Sequence, residues 1–189
     1  MNYKNFSVRD ITFSAIFTVL IIVGAFIKIP IPVVPFTLQF LFTTLAGLFL
    51  GPRLGFISVC TYILLGLLGL PVFASGGGIG YILNPSFGYL IGFAVGAFVT
   101  GFIAQKSVNP SYKRLFVACF CGLIIVYSFG MVYYWIISTF YIKTSIGLWT
   151  LFFYCFVLAV PGDIAICILS VIIGKRVIPI INKYLEVSI

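Results

Sequence analysis

From Leu54 to Gln105 the chain carries no Lys, Arg, Asp or Glu. A soluble domain devotes about a quarter of its residues to those four types, so a stretch like this is built for hydrocarbon rather than water. The rest of the chain follows suit: of 189 residues, 62% are hydrophobic and 7% charged, with a mean hydropathy of +1.27. A helix needs roughly 20 apolar residues to cross the membrane core, and about six such crossings consume nearly everything present. The expected fold is an all-α integral membrane protein in which residues 1–189 form one membrane-embedded domain. No room is left for a soluble catalytic domain.

The breakers between apolar runs predict six spans. The first covers Val8 to Ile27; it lacks the short apolar core and small-residue cleavage site of a secretory signal, so it is expected to stay in the protein. Lys28 and the proline-rich stretch up to Pro35 then break the helix. Phe36 to Leu50 forms the second span, Gly51-Pro52-Arg53 a tight turn, and Leu54 to Leu70 the third. The fourth runs from Ser86 to Ala104 and the fifth from Leu115 to Tyr141. The sixth starts at Pro161, because a first helical position tolerates a missing N–H. Leu148 to Val160 reads either as a helical segment near the interface or as the start of one kinked, tilted span. In the first span, Ser14, Ala15 and Thr18 place small residues at helical spacing, which lets helices approach closely in lipid. Packing within the chain and docking onto another subunit both fit them.

Between the third and fourth spans lies Gly69–Tyr89, uncharged, with Gly76, Gly77, Gly78 and Gly80 ahead of Asn84-Pro85. Its side of the membrane follows from charge. One set of loops and termini collects Lys4, Arg9, Arg53, Lys106, Lys113, Arg114, Lys175, Arg176 and Lys183; the other has only Lys28 and Lys143. Nine against two puts both termini in the cytoplasm and the glycine segment outside. The net charge of +8 is thereby assigned to topology rather than to nucleic acid. The segment is no phosphate loop, since no Lys-Ser or Lys-Thr follows the glycines. Nor does the chain offer metal ligands: His is absent, and the five cysteines (Cys60, Cys119, Cys121, Cys155, Cys167) sit in apolar runs as small packing residues. With no His, metal cluster or paired acid, no catalytic residue is expected.

Of three acidic residues, Asp163 alone falls inside a span. An ionisable residue at depth is costly and points to function. Asp163 is twelve residues before Lys175, or about 18 Å up the helix. Gln39 is fourteen before Arg53, about 21 Å up, and Asn84 twenty-two before Lys106, about 33 Å up. All three therefore meet in the outer part of the bundle, beneath the glycine segment. Each also has a plainer use: Asp163 and Asn84 as helix caps, Gln39 as an interhelical hydrogen-bond partner. Taken together, a carboxylate that accepts and amides that do both suit a small ligand presenting N–H donors beside a carbonyl, such as a urea. Phe36, Phe73, Tyr81, Phe87 and Tyr89 supply apolar walls or an interfacial aromatic belt. An acidic tail on such a ligand has two receivers, free N–H groups near Ser86 or Lys28. The glycine segment, with Ser75, Gly76, Gly77 and Gly78, reads as a lid.

Val34-Pro-Phe-Thr-Leu-Gln39, Gly47-Leu-Phe-Leu-Gly-Pro-Arg-Leu-Gly55, Tyr62, Gly66-Leu-Leu-Gly-Leu-Pro-Val-Phe73, Gly88-Tyr-Leu-Ile-Gly-Phe93 and Pro161-Gly-Asp163 occur in that order. This ordered set spans nearly the whole chain and closely resembles the BioY family, the biotin-binding S components of energy-coupling-factor transporters. The resemblance implies a prokaryotic cell-membrane protein that captures biotin as cargo, not cofactor, from outside. It would dock, largely through its first span, onto a transmembrane T component and two cytoplasmic ATPases. Asp163 and Asn84 would hold the ureido ring, Gln39 would support the site, and Tyr89, Phe36, Phe73 and Ser86 would complete it. Members often carry Lys where this chain has Ile166, and Gly-Pro-Thr where it has Asn84-Pro85-Ser86, which implies redistributed contacts with Asn84 compensating. An S component for another small vitamin, or a non-transport membrane subunit, are the alternatives.

Overall fold

Ser7 opens the bundle. In the computed structural model, which describes residues 7–29, 36–143, 149, 153 and 159–187, the Ser7 hydroxyl accepts the Asp10 N–H while the Asp10 carboxylate accepts the Ser7 N–H. This reciprocal cap satisfies two donors that a helix start leaves open and launches α1 (Val8–Phe26). A short antiparallel pair follows, β1 (Lys28–Ile29) with β2 (Phe36–Thr37), Lys28 opposite Thr37 and Ile29 opposite Phe36. Then come α2 (Gln39–Leu67), a 3-10 turn (Ile79–Leu83) and α3 (Phe87–Ala104). The Ser111 side chain caps α4 (Tyr112–Ile136), which continues as a π-helical segment (Ile137–Ile142). The last helix is α5 (Val160–Val187). The expected segment 148–160 falls almost wholly outside the described residues, as does the proline-rich stretch 30–35.

The second and third expected spans are the two halves of α2. Gly51 breaks it, with φ 82° and ψ −175°. In a continuous helix Gln39 and Tyr62 would lie about 34 Å apart, yet the Gln39 Nε2 donates to the Tyr62 hydroxyl at 2.8 Å. A Cβ on Gly55 would meet the Gly47 Cα at 3.0 Å, where a straight helix would separate them by about 12 Å. The halves 39–50 and 52–67 therefore form an antiparallel hairpin, as Gly51-Pro52-Arg53 predicts. All five helices, α4 counted with its π-helical extension, are long and apolar enough to cross a membrane, and the chain is a multi-pass membrane protein.

Lipid supplies no hydrophobic drive between helices, so close backbone approach has to hold the bundle together. The α3 helix lies between α2 and α4 and meets both through small residues. A Cβ on Gly47 would sit 2.4 Å from the Ala97 carbonyl oxygen, and one on Gly92 would sit 2.8 Å from the Val126 Cα. On the other side of α2, the hydroxyls of Ser14 and Ser58 are 2.9 Å apart and Thr18 donates to the Ser58 carbonyl at 3.0 Å. Outward positions such as Val19, Leu64, Phe102 and Val132 are large, apolar and exposed, as a lipid-facing surface requires.

The two ends of the bundle carry different basic residues. At one end a side chain on Gly51 would collide with Gln105, and Lys175 donates to Asn109 Oδ1 at 2.8 Å and to the Pro110 carbonyl at 3.1 Å. The hairpin turn beside Arg53, the basic 105–114 connection and Lys175 thus share that end. At the other end Lys28 donates to the Ala74 carbonyl at 2.9 Å.

Gly51→Ala tests the hairpin. A backbone at φ 82° and ψ −175° is open essentially to glycine alone and costs a residue with a Cβ about 1–3 kcal/mol, and the added methyl also meets Gln105. The apparent unfolding temperature in detergent falls for Gly51→Ala and stays at the wild-type value for Gly80→Ala, whose Cβ would meet nothing within 4 Å.

Candidate functional site

The first turn of α5 follows directly from Pro161-Gly162: the Asp163 N–H donates to the Ala159 carbonyl at 3.1 Å, which sets the carboxylate one turn into the helix. Asp163 is 6% exposed. Its side chain reaches across to α4, where the Tyr127 hydroxyl donates to Oδ2 at 2.5 Å. The position also suits a carboxylate, because the start of a helix carries partial positive charge. Gln39 begins α2 and is 3% exposed. Its amide donates to Tyr62 and its Oε1 accepts from the Thr37 hydroxyl at 3.2 Å.

Both residues open onto one cavity. Asp163, Gln39 and Thr37 give it polar atoms; Phe36, Phe40, Tyr81, Tyr89, Phe93 and Tyr127 give it aromatic walls. Ala74, Ser86, Leu90, Val126 and Ala159 complete the lining. Few polar groups among many apolar ones is the usual make-up of a small-molecule pocket.

Three of the aromatic rings around the cavity rest on glycines. A Cβ would stand 2.1 Å from the Phe73 ring at Gly66, 2.3 Å from the Tyr89 ring at Gly130 and 2.9 Å from the Phe36 ring at Gly162. Each ring therefore lies flush against a helix backbone. Phe73 does not line the cavity; it is 1% exposed, wedged between the Tyr62 and Tyr81 rings at centroid distances of 5.4 and 4.4 Å. It supports the wall that Tyr81 presents. Tyr89 meets Tyr127 edge-on at 6.1 Å, which braces the donor to Asp163.

Asn84 is placed differently from the ligand contact expected of it. Its Oδ1 accepts from the Ser86 N–H at 3.0 Å and from the Ser86 hydroxyl at 2.8 Å. It lies outside the cavity lining and shapes the entry to α3, positioning Ser86, which does line the cavity. The physical reason is its place before Pro85, in a turn where an Asn side chain readily bonds the backbone two residues on.

The glycine segment folds back on the end of α2. Phe73 and Gly76 exchange backbone hydrogen bonds at 2.9 and 3.2 Å, and the Gly78 N–H donates to the Gly66 carbonyl at 2.7 Å. Gly76 and Gly78 take φ values of 120° and 100°, open to glycine at no steric cost. The segment faces the cavity through Ala74 and Tyr81, while Ser75, Gly76, Gly77 and Gly78 form the turn behind them. Tyr133 holds the following 3-10 turn by donating to the Ile82 carbonyl at 2.5 Å. Of the small residues on α1, Ser14 and Thr18 are spent on contacts with α2, and only Ala15 is exposed. Ser14 and Thr18 thus pack within the chain, and Ala15 stays on the open side of α1.

The BioY family profile matches residues 1–183. The chain belongs to the BioY family. It is 43% identical over 173 residues to a Lysinibacillus sphaericus protein named "Probable biotin transporter BioY", covering 92% of this chain and 88% of that one. A Lactococcus lactis protein named "Biotin transporter BioY" is 35% identical over 182 residues, with 92% of each chain covered. Among solved structures, the bundle resembles that of "the S-component for biotin from an ECF-type ABC transporter", with a TM-score of 0.79, 33% identity and 94% of each chain covered. The stretch matched by the profile takes in every residue that lines the cavity.

Overpacking a filled site costs about 1–3 kcal/mol. Gly66→Val, Gly130→Val and Gly162→Val each lower the apparent unfolding temperature in detergent, by displacing Phe73, Tyr89 and Phe36 respectively. Tyrosine fluorescence also changes in Gly130→Val. A variant with both readouts at wild-type values contradicts the seating of its ring.

Proposed function

We propose that this BioY-family chain is the biotin-capturing S component of an energy-coupling-factor transporter in a prokaryotic cell membrane. The carrying observation is a buried carboxylate opening onto an aromatic cavity, in a chain whose relatives are named biotin transporters. Tyr127 engages Oδ2 of Asp163 and leaves Oδ1 to accept a ureido N–H. A hydrogen bond to a charged acceptor in a site shielded from water is worth about 1.5–3 kcal/mol. Gln39 closes the polar end, and Phe36, Tyr89 and Phe93 enclose the fused rings. Asn84 acts at one remove, through Ser86. Biotin is cargo here, and no cofactor takes part.

The hairpin at Gly51 supports six crossings, with both halves of α2 counted and both termini cytoplasmic by the distribution of Lys and Arg. The cavity then faces outward, covered by residues 71–83 as a lid. Energy comes from elsewhere: a transmembrane T component and two ATPases hydrolyse ATP, and α1 offers them an exposed apolar face that includes Ala15. The chain is a transporter component and carries out no chemistry of its own.

Binding of labelled biotin to the purified protein tests this reading. The expected dissociation constant is below about 1 μM, with other vitamins failing to compete, and Asp163→Asn weakens binding by about tenfold or more. Affinity no better than millimolar, or an Asp163→Asn variant equal to wild type, contradicts it.

A further inference from the structure

The floor of the cavity accounts for a ring bearing N–H donors but leaves the other end of the ligand unassigned. On the proposed reading that end is a carboxylate on a flexible chain, and it needs donors at the mouth. The start of α3 is a weaker candidate, because three of its leading backbone donors are already used. The Ser86 N–H goes to Asn84 Oδ1 at 3.0 Å, the Phe87 N–H to the Asn84 carbonyl at 2.9 Å and the Tyr89 N–H to the Ser86 carbonyl at 3.1 Å. The Ser86 hydroxyl donates to Asn84 Oδ1, and the Thr37 hydroxyl to Gln39.

Lys28 is differently placed. It lies opposite Thr37 in the β1–β2 pair, and its Nζ donates to the carbonyl of Ala74 at 2.9 Å. Thr37 and Ala74 both line the cavity, so the ammonium stands at the rim between two cavity-lining elements. It is exposed, and one carbonyl uses one of an ammonium's three protons. A neutral carbonyl is also a weaker acceptor than a carboxylate, since charge-assisted hydrogen bonds are shorter and roughly twice as strong.

We propose that Lys28 is the residue that selects ligands with a free carboxylate, its ammonium bridging the ligand's acid group and the Ala74 carbonyl at the mouth of the cavity. This rests on the biotin reading of the cavity and adds an orientation to it: ring at Asp163, acid at Lys28. The bridge would also fasten residue 74 of the glycine segment over the bound molecule, so capture and covering of the site share one contact.

Biotin and its uncharged primary amide, titrated into the purified protein, separate the possibilities. For wild type the acid binds more tightly than the amide. Lys28→Met weakens biotin by about tenfold while leaving the amide within about twofold, so that the preference for the acid disappears; Lys28→Arg retains it. Retained amide binding shows that Lys28→Met is folded. Unchanged biotin affinity in Lys28→Met overturns the assignment, as does an equal loss of acid and amide, which would leave Lys28 only a tie to Ala74. If wild type binds neither ligand, the biotin reading itself fails, an outcome distinct from either.

Discussion

Asp163 sets a condition that much of this structure meets. A carboxylate withdrawn from water into an apolar bundle costs several kcal/mol unless it is hydrogen-bonded or paired. The chain meets that cost from a different helix, through the Tyr127 hydroxyl, and braces Tyr127 edge-on against Tyr89. Tyr89 in turn lies against Gly130, one turn along α4 from the region of Tyr127. Carboxylate, donor, brace and backbone thus form one packed unit joining α3, α4 and α5. The same logic, at lower stakes, links Gln39 to Tyr62 across the α2 hairpin.

The shape of the cavity follows from the pairing of aromatics with glycines. In lipid, helices gain little from burying apolar surface against one another, because hydrocarbon is already apolar. Small residues let backbones come close, and the same glycines let rings lie flat against them. Gly47 and Gly92 serve the first purpose; Gly66, Gly130 and Gly162 serve the second. A binding site therefore arises where helix contacts give way to ring-on-glycine contacts, with a polar floor and an aromatic wall. That arrangement suits capture of a small, largely neutral ring system.

Much of this was legible in the sequence because it rests on one-dimensional patterns. Apolar run length points to helices long enough to cross a membrane, of which the described residues hold five, and Gly51-Pro52-Arg53 points to the reversal within α2. Counting residues from the basic end brought Gln39 and Asp163 to one depth, and they line one cavity. What was hidden depends on which way a helix face turns. Tyr127 lies 36 residues from Asp163 in an apolar run with no local mark of its role. Asn84 lies near the expected depth, but the turn at Pro85 directs its amide to Ser86 instead of the cavity. Ser14 and Thr18 have the spacing of a docking stripe, yet Ser58 on the facing half of α2 takes both. Small-residue spacing marks a close contact without naming the partner.

In the proposed mode of capture, the buried Asp163 carboxylate anchors the ring of biotin at the floor of the cavity. The most direct measurement is a structure of the protein with biotin bound, at a resolution that distinguishes the ureido ring from the carboxylate end. A ureido N–H within hydrogen-bonding distance of Asp163 Oδ1, with the Tyr127 contact to Oδ2 intact, is the predicted result. Biotin bound with its carboxylate end toward Asp163, or outside this cavity, would contradict it.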